Sequence, residues 1–256
     1  MAASKHVAVL MGGWSSEREV SLRSGAACAA ALESRGYRVT RIDVQRDIAT
    51  VLAGLKPDVA FMALHGRPGE DGTIQGVLET VAIPYTHSGV LASSLAMQKD
   101  LAKTVMATAG VPVAEGLTLS RAEIAKGHVM KPPYVIKPVA DGSSVGVFIV
   151  TEEHAHPPQE LFRDGWPHGD RLLVEKYVAG RELTCAVIKG EPSEVTEIVP
   201  LLKFYDYEAK YSKGASKHVL PAPILPFVYQ EVRRLTLAAH VSLGCRGVSR
   251  ADFRYD

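Results

Sequence analysis

Strand and helix patterns alternate over the first 90 residues, and glycines follow two of the strands. The apolar run His6–Met11 ends at Gly12, and an amphipathic stretch from Glu17 to about Arg35 comes next. Tyr37–Val44 and Asp58–Leu64 repeat the strand pattern, with a weaker helical pattern between them. This alternation predicts a Rossmann-like α/β unit with a parallel sheet, in which ligands bind at the carboxyl ends of the strands.

Short local signals bound the first helix of this unit. Ser16 and Glu19 have the spacing of a capping box at its start. Gly36 stands where a left-handed C-terminal cap would lie. We therefore expect a helix with a defined beginning and end.

Two glycine-containing pairs follow the first and third strands, and both are expected at the ligand-binding edge of the sheet. They are Gly12-Gly13 and His65-Gly66. Glu17 and His65 are the candidate site residues here. A helix capping charge and an ordinary loop histidine are the alternatives.

The pattern changes after a long helical stretch over Val90–Ala109, and a second domain is expected to begin near it. Tyr134–Val139, the glycine-rich segment Gly142–Gly146 and Val147–Val150 predict two strands joined by a loop. Later patterns predict two strands at Arg171–Tyr177 and Glu182–Ile188. They also predict a helix over about Phe227–Leu243 and a last strand at Gly247–Tyr255.

Composition excludes several classes of function. The 256 residues carry 29 Lys+Arg against 28 Asp+Glu and 7% aromatic residues, so a basic surface or stacking platform for nucleic acid is not expected. No apolar run approaches the roughly 18 residues of a membrane span, and the chain begins without a secretory signal pattern. Three cysteines without CxxC spacing predict neither disulfides nor a zinc site. We expect a cytoplasmic protein that binds neither nucleic acid nor membrane.

Lys137 is the most informative single residue, because it places an ammonium inside the apolar strand Tyr134–Val139 beside a glycine-rich turn. A buried lysine needs an anion, and Gly142 and Gly146 would let backbone N–H groups approach phosphate oxygens. The alternative is a lysine that reaches solvent from an edge strand. No GxxxxGK[ST] sequence occurs and a strand follows the loop, so this is not a P-loop.

The same loop satisfies G-x-S-x-G, with Ser144 as a hydrolase nucleophile. A nucleophile elbow requires a helix directly after the serine. Val147–Val150 is β-branched and aromatic, which favours a strand instead. The sequence therefore disfavours a serine hydrolase.

Charged residues on later strands are further candidates. Glu175 and Glu182 could bind an adenine amino group and ribose hydroxyls, with solvated charge pairs as the alternative. Arg250 and Asp252 alternate along one predicted strand, so both side chains face one side, where they would suit a phosphate with its magnesium. A surface salt bridge is the alternative for this pair.

Five ordered blocks closely resemble the D-alanine–D-alanine ligases of the ATP-grasp superfamily. They read GGWSSEREVS at 12–21, ALHGRPGEDG at 63–72, KP at 137–138 with GSSVG at 142–146, FYDYEAKY at 204–211 and SRAD at 249–252. The resemblance covers nearly the whole chain. The first and fourth blocks are the most specific to this ligase.

The resemblance implies an ATP-grasp fold with three parts. A Rossmann-like substrate domain would span residues 1–97, and two α+β subdomains, 98–182 and 183–256, would enclose the nucleotide. The implied reaction phosphorylates one D-alanine with ATP, and a second D-alanine attacks the acyl phosphate to give the dipeptide for peptidoglycan. Small-molecule partners would be D-alanine and ATP, with Mg²⁺ or Mn²⁺ as the metal. Similar enzymes are usually dimers, so a homodimer is expected by analogy.

The resemblance also assigns roles to residues. Glu17 would hold the first substrate's ammonium, and Glu17, Ser143 and Tyr211 would form a hydrogen-bonded catalytic set. His65 would lie near the substrates, and Arg250 would take part in catalysis. The residues expected to bind ATP are Lys99, Lys137, Ser144, Glu175, Lys176, Val178, Glu182, Lys210 and Arg250, and the residue expected to bind the metal is Asp252.

The segment Tyr205–Tyr211 is similar to the mobile loop of ligases that add D-alanine. Relatives that use D-lactate and make depsipeptides differ in this loop. We therefore expect a dipeptide product, and a ninhydrin-negative ester as the main product at neutral pH would contradict this.

One departure from the family concerns the metal site. The family's next strand carries a Glu-x-Asn pair, whereas this sequence stops at Asp256 and contains no Asn. We expect the 256 residues to be part of a longer protein, with a fragment that lacks part of its catalytic centre as the alternative. Alone, they are expected to bind ATP weakly and not to turn over. Two alternatives stay open. They are a different ATP-grasp carboxylate–amine ligase, which D-alanine-stimulated ADP formation would separate, and a nucleotide-binding module without catalysis.

Overall fold

A computed structural model describes residues 4–143, 145–200 and 216–256, which form two compact units. The first unit comprises the described residues up to Ala96 together with Gly244–Ser249. The second comprises the described residues of Met97–Leu243 together with Arg250–Asp256. No helix within the described ranges is both long enough and apolar enough to cross a membrane.

A parallel three-stranded sheet in the order β2-β1-β3 forms the centre of the first unit. Its strands are β1 (His6–Met11), β2 (Arg38–Asp43) and β3 (Val59–Met62). The helices that follow these strands are α1 (Arg18–Ser34), α2 (Ile48–Leu55), α3 (Thr73–Thr80) and α4 (Val90–Met97). The alternation of strand and helix in the sequence therefore predicted this unit correctly.

Side chains of β1 alternate between two apolar clusters, one on each face of the sheet. Leu10 belongs to a cluster with Leu52 of α2 and Leu78 of α3. Val9 belongs to a second cluster with Ala29 of α1. Helices cover both faces of the sheet, so its carboxyl edge is the place left for ligands.

The ends of α1 confirm one capping prediction and correct the other. Gly36 has a φ of 82°, and its N–H donates to the carbonyl of Glu33, while the N–H of the next residue donates to Leu32. These are the two hydrogen bonds of a Schellman cap. At the other end the N-cap is Glu17 rather than Ser16, and its side chain makes no capping hydrogen bond. The predicted capping box is therefore wrong.

An antiparallel four-stranded sheet in the order β4-β7-β5-β6 forms the first part of the second unit. Its strands are β4 (Gly116–Ser120), β5 (Tyr134–Pro138), β6 (Phe148–Val150) and β7 (Arg171–Lys176). One face packs on α6 (Arg121–Ile124) and the 3₁₀ turn Gln159–Phe162 through an apolar cluster. The antiparallel pairing of β5 with β6 confirms the predicted strand, loop and strand.

A second sheet in the order β11-β10-β8-β12 completes this unit, with β9 paired to β8. Its strands are β8 (Arg181–Ile188), β9 (Glu191–Pro192), β10 (Thr196–Pro200), β11 (Ser216–Val219) and β12 (Val248–Tyr255). Helix α7 (Pro226–Ser242) packs on it through a cluster that includes Leu183 and Val232. The predicted last helix and last strand are confirmed.

The long helix predicted over Val90–Ala109 is instead two helices, α4 and α5 (Lys99–Thr108). Gln98 between them has an extended backbone, with φ −86° and ψ 92°. The N–H of Lys99 donates to the carbonyl of Val139 at 3.0 Å. A hydrogen bond to a distant segment divides the helix, and apolar spacing along the chain carries no signal of it.

Candidate functional site

A cavity of about 1050 Å³ opens in the second unit between its two sheets. Five residues predicted to bind ATP line it, namely Lys137, Glu175, Lys176, Val178 and Glu182. Apolar side chains from both sheets, such as Ile149 and Ile198, form part of its walls, and further charged side chains, among them Arg181 and Arg254, also line it. Apolar walls combined with charged groups that fix a ligand's orientation are typical of small-molecule sites.

Glu175 lies between two lysine ammonium groups. One carboxylate oxygen pairs with Lys137 of β5 and the other with Lys103 of α5. The Glu175 side chain is 9% exposed, against 26% for Lys137 and 16% for Lys103. A carboxylate this buried is tolerated because both of its oxygens have a cationic partner.

The register of the sheet places Lys137 and Glu175 on one face. Val135 lies directly opposite Glu175, and Lys137 is two residues further along β5. Side chains two residues apart share a face, and a long side chain reaches its diagonal neighbour across an antiparallel pair.

Gly116 of β4 is the neighbour of Glu175 on its other side. A Cβ at residue 116 would lie 2.9 Å from Cγ of Glu175 and 2.6 Å from the carbonyl oxygen of Val174. Both distances are too short for a carbon atom, so only glycine leaves space for the carboxylate here.

Opposing effects set the pKa of Glu175. Burial raises this pKa, whereas the charge of Lys137 and hydrogen bonds from Lys103 and Lys137 lower it, and the net pKa lies below its usual range. Glu175 is therefore ionised at neutral pH. An anion that enters the cavity has to compete with Glu175 for the ammonium of Lys137.

Lys99 binds the main chain at the start of the glycine-rich loop. Its Nζ donates to the carbonyl of Pro138 at 3.1 Å, to that of Val139 at 3.3 Å, and to that of Asp141. The Asp141 carboxylate lies 2.5 Å from Nδ1 of His168. The entry to the loop is thus fixed from two sides.

The other end of the loop packs against aromatic side chains. A Cβ at Gly146 would lie 3.2 Å from both Trp166 and His168. Ser143, predicted in catalysis, lies inside the loop with a φ of 52°. Three predicted residues fall outside the described ranges: Ser144, Lys210 and Tyr211.

Arg250 and Asp252 lie on one side of β12, as the alternation along that strand predicts. Their side chains are 3.0 Å apart, and Thr184 donates a hydrogen bond of 2.8 Å to Asp252. Both are exposed, by 63% and 47%. Neither belongs to the described residues that line the cavity.

Glu17 and His65, predicted to bind substrate, lie in the first unit just after β1 and β3. Glu17 is buried. Ser15 Oγ accepts from the N–H of Glu17 at 3.1 Å and donates to the carbonyl of His65 at 2.8 Å, so one serine joins the two loops. The His65 ring lies 3.3 Å from Ser24 Oγ.

Comparison with known proteins assigns both parts of the chain. The family model of the D-ala D-ala ligase C-terminus matches residues 105–256, and that of the N-terminus matches residues 50–88. The D-alanine–D-alanine ligase of Afipia carboxidovorans is 88% identical over 256 residues, which are 100% of this chain and 83% of that protein. This chain belongs to the D-alanine–D-alanine ligase family.

Solved structures from the ligase family have the same fold. The D-alanine–D-alanine ligase of Bacillus anthracis gives a TM-score of 0.81 at 30% identity, over 99% of this chain and 83% of that chain. The structure of the same ligase complexed with ATP gives a TM-score of 0.79 at 25% identity, over 99% of this chain and 82% of that chain. These matches confirm the ATP-grasp ligase fold that the sequence blocks imply.

Lys103 is a residue of this ligase's cavity region that sequence reasoning missed. It stands four residues after Lys99 on α5, so both lysines lie on one face of the helix. That spacing was the available signal. The contacts of His168 with Asp141 and Gly146 had no signal in the sequence, because the partners are more than 20 residues apart.

Proposed function

We propose that this chain joins two D-alanine molecules at the expense of ATP and so supplies D-alanyl-D-alanine for peptidoglycan. ATP phosphorylates the carboxylate of one D-alanine, and the amine of the second displaces phosphate from the acyl phosphate. Membership of the ligase family supports the reaction. The observation that carries the proposal is the cavity in which Lys137 and Glu175 meet beside a glycine-rich loop.

The proposed nucleotide position follows from the charges around this cavity. Lys137, at the start of the loop, would neutralise phosphate oxygens, and the loop's N–H groups would donate to them. Glu182, which lies 3.6 Å from Arg254, would hold the ribose hydroxyls at the opposite end. The full proposed ATP-binding set is Lys99, Lys137, Ser144, Glu175, Lys176, Val178, Glu182, Lys210 and Arg250.

Phosphoryl transfer needs cations around the transferred group, because its transition state spreads negative charge over several oxygens. We assign this task to Lys137 and to Arg250. The exposed ion pair of Arg250 with Asp252 supports the assignment, since a pair in high dielectric is weak and a phosphate can displace it. Lys99 would act mainly on the loop, since its ammonium donates to three loop-entry carbonyls.

D-alanine binding is assigned to Glu17 and His65 of the first unit. The buried carboxylate of Glu17 suits the ammonium of the first D-alanine, and His65 follows the neighbouring strand. Ser143 and Tyr211 are the further proposed catalytic residues.

The magnesium or manganese ion that the family implies would be held by Asp252. Among the described side chains no group of three metal ligands occurs. Mg²⁺ is commonly held by one or two carboxylates together with substrate phosphates, so a single carboxylate fits the ion when ATP is present. When bound, the ion would neutralise part of the phosphate charge.

Three further assignments rest on analogy with similar ligases. We propose a homodimer, a cytoplasmic location, and a division into a substrate domain (1–97) and two ATP-grasp subdomains (98–182 and 183–256). Light scattering of the purified protein tests the first of these. A monomer at micromolar concentration would contradict it.

ADP release in the presence of ATP, magnesium and D-alanine tests the proposed function. In the protein extended to the full length of its Afipia carboxidovorans relative, of which these residues cover 83%, we expect ADP formation to require D-alanine and to match D-alanyl-D-alanine in amount, with L-alanine as the matched control giving no stimulation. The 256 residues alone are expected to bind ATP without turnover. ATP hydrolysis that ignores D-alanine, or stimulation by another amino acid instead, would contradict the proposal.

A further inference from the structure

The two lysines that pair with Glu175 approach it from different sides. Lys137 lines the 1050 Å³ cavity at the start of the glycine-rich loop. Lys103 is not among the described residues that line that cavity, and instead lines a separate hollow of about 720 Å³ together with Gly116. An anion in the cavity can therefore reach Lys137, whereas Lys103 stays behind Glu175.

This difference matters because Lys137 cannot serve two anions equally. In the structure its ammonium pairs with Glu175. If a phosphate takes over that ammonium, Glu175 loses one of its two cations while its side chain is 9% exposed. A buried carboxylate without a cation is strongly disfavoured.

We propose that Lys103 is a positioning residue that keeps Glu175 paired, so that Lys137 can turn from Glu175 to the triphosphate. The inference rests on the proposed function, in which Lys137 binds ATP. Lys103 touches neither nucleotide nor D-alanine in this account. It acts through Glu175 alone.

The helix that carries Lys103 is fixed to the rest of the second unit through two residues of its first turn. Asp100 pairs with Arg171 at 2.5 Å and lies 3.4 Å from the hydroxyl of Thr118. Lys99, one turn before Lys103, binds the carbonyls that precede the loop. Lys103 is thus held in place independently of Lys137.

Removal of Lys103 has a specific consequence in this arrangement. Of its two lysine partners, Glu175 would then keep only Lys137. Its carboxylate would compete with the triphosphate for the Lys137 ammonium. Neutralising Glu175 in the same protein ends that competition. Neutralising Glu175 should therefore cancel the effect of removing Lys103 on ATP affinity. If each substitution only damaged the structure, their losses of affinity would add.

A double-mutant cycle on ATP affinity tests the proposal, with K103M, E175Q and K103M/E175Q measured by calorimetry without D-alanine. We expect K103M to raise the dissociation constant about tenfold, a normal coupling between neighbouring charges. The double variant should bind ATP within about threefold of E175Q, whatever E175Q itself costs as a variant of the proposed ATP-binding set. K103R, which keeps the cation, should recover most of the affinity.

The controls separate folding from pairing. K131M removes an exposed lysine of the same unit and should leave ATP affinity unchanged. If K103M does not fold, the ATP affinities of E175Q and the double variant still test the proposal. Lys103 should not affect ATP affinity once residue 175 is neutral. The proposal would be overturned if the double variant bound ATP clearly more weakly than E175Q, which is the result expected when the two losses of affinity add.

The cycle also separates this inference from the proposed function. Absence of ATP binding by the unmodified protein, or full affinity in K137M, would contradict the assignment of the cavity to ATP. A different result would contradict only the role of Lys103. In that case the unmodified protein binds ATP and K137M binds it more weakly, but the losses of ATP affinity in K103M and E175Q add in the double variant.

Discussion

Two of the acidic residues that pair with basic ones in the second unit, Glu175 and Asp252, have sharply different surroundings. Glu175 is 9% exposed and holds two lysines, whereas Asp252 is 47% exposed and pairs with Arg250. A buried charge requires its partners for stability, but an exposed pair gains little from its own contact. We infer that the Glu175 cluster is part of the fold as well as the site, while the Arg250–Asp252 pair can rearrange around a ligand at little cost.

The largest effect is expected from K137M, which removes the cation facing the cavity. Loss of one preorganised charge at a transferring group typically lowers rate constants by about 10²–10³-fold. We expect a comparable fall in kcat/KM for ATP, measured by ADP release with saturating D-alanine in the protein extended to the full length of its relative. A fall below about threefold would remove Lys137 from the phosphate site.

The next effect concerns stability, and it sets the buried carboxylate against the exposed one. E175Q leaves two ammonium groups without their anion, so we expect the free energy of unfolding to fall by about 3 kcal/mol. Urea unfolding monitored by circular dichroism measures this. A change of less than about 1 kcal/mol would mean that the buried cluster behaves like a surface pair.

Gly116 offers a steric test of the same cluster. G116A puts a methyl group 2.9 Å from Cγ of Glu175 and 2.6 Å from a backbone oxygen, so we expect a loss of about 1–3 kcal/mol in unfolding free energy. The matched control is G54A in α2, where no atom lies within 4 Å of the new Cβ. Alanine favours helix, so G54A should be neutral or stabilising by up to about 1 kcal/mol. Equal effects of the two substitutions would contradict the packing account.

The pH dependence of stability should report the charge of Glu175. Its pKa in the folded protein is lowered, so its contribution is complete above the unfolded pKa of about 4.3 and is lost as the pH falls through the lower folded value. The difference in unfolding free energy between the unmodified protein and E175Q should be constant from pH 8 to about pH 5.5 and should shrink below about pH 4.5. A difference that grows towards low pH would show the opposite sign of the shift.

The smallest effect on stability is expected at the exposed pair. D252A should change the unfolding free energy by at most about 1 kcal/mol, because solvent screens the charge of Arg250. In the protein extended to the full length of its relative, the same variant should lose most activity if Asp252 holds the metal, which ADP release would show. If D252A kept full activity and lost stability, Asp252 would contribute to the fold rather than to the site, which would contradict the contrast drawn with Glu175.

Sequence patterns predicted the elements well and the contacts between them poorly. Apolar periodicity and Gly36 found α1 and its C-terminal cap, and strand patterns found the hairpin around the glycine-rich loop. The break at Gln98 was missed because the N–H of Lys99 bonds to Val139, 40 residues away.

The candidate site shows the same limit. The position of Lys137 in an apolar strand indicated that it needs an anion, but the partner seen in the structure is Glu175, which the sequence suggested separately. Lys103 was not recognised, because its role depends on how α5 lies over the sheet rather than on its neighbours in the chain.

A crystal structure of the protein with a non-hydrolysable ATP analogue and magnesium would show directly whether Lys137 leaves Glu175 for the triphosphate. We expect the triphosphate in the cavity of the second unit, with Nζ of Lys137 within hydrogen-bond distance of a phosphate oxygen and Lys103 still paired with Glu175. A nucleotide bound elsewhere, or bound in the cavity with Lys137 still on Glu175 and away from every phosphate, would contradict the account.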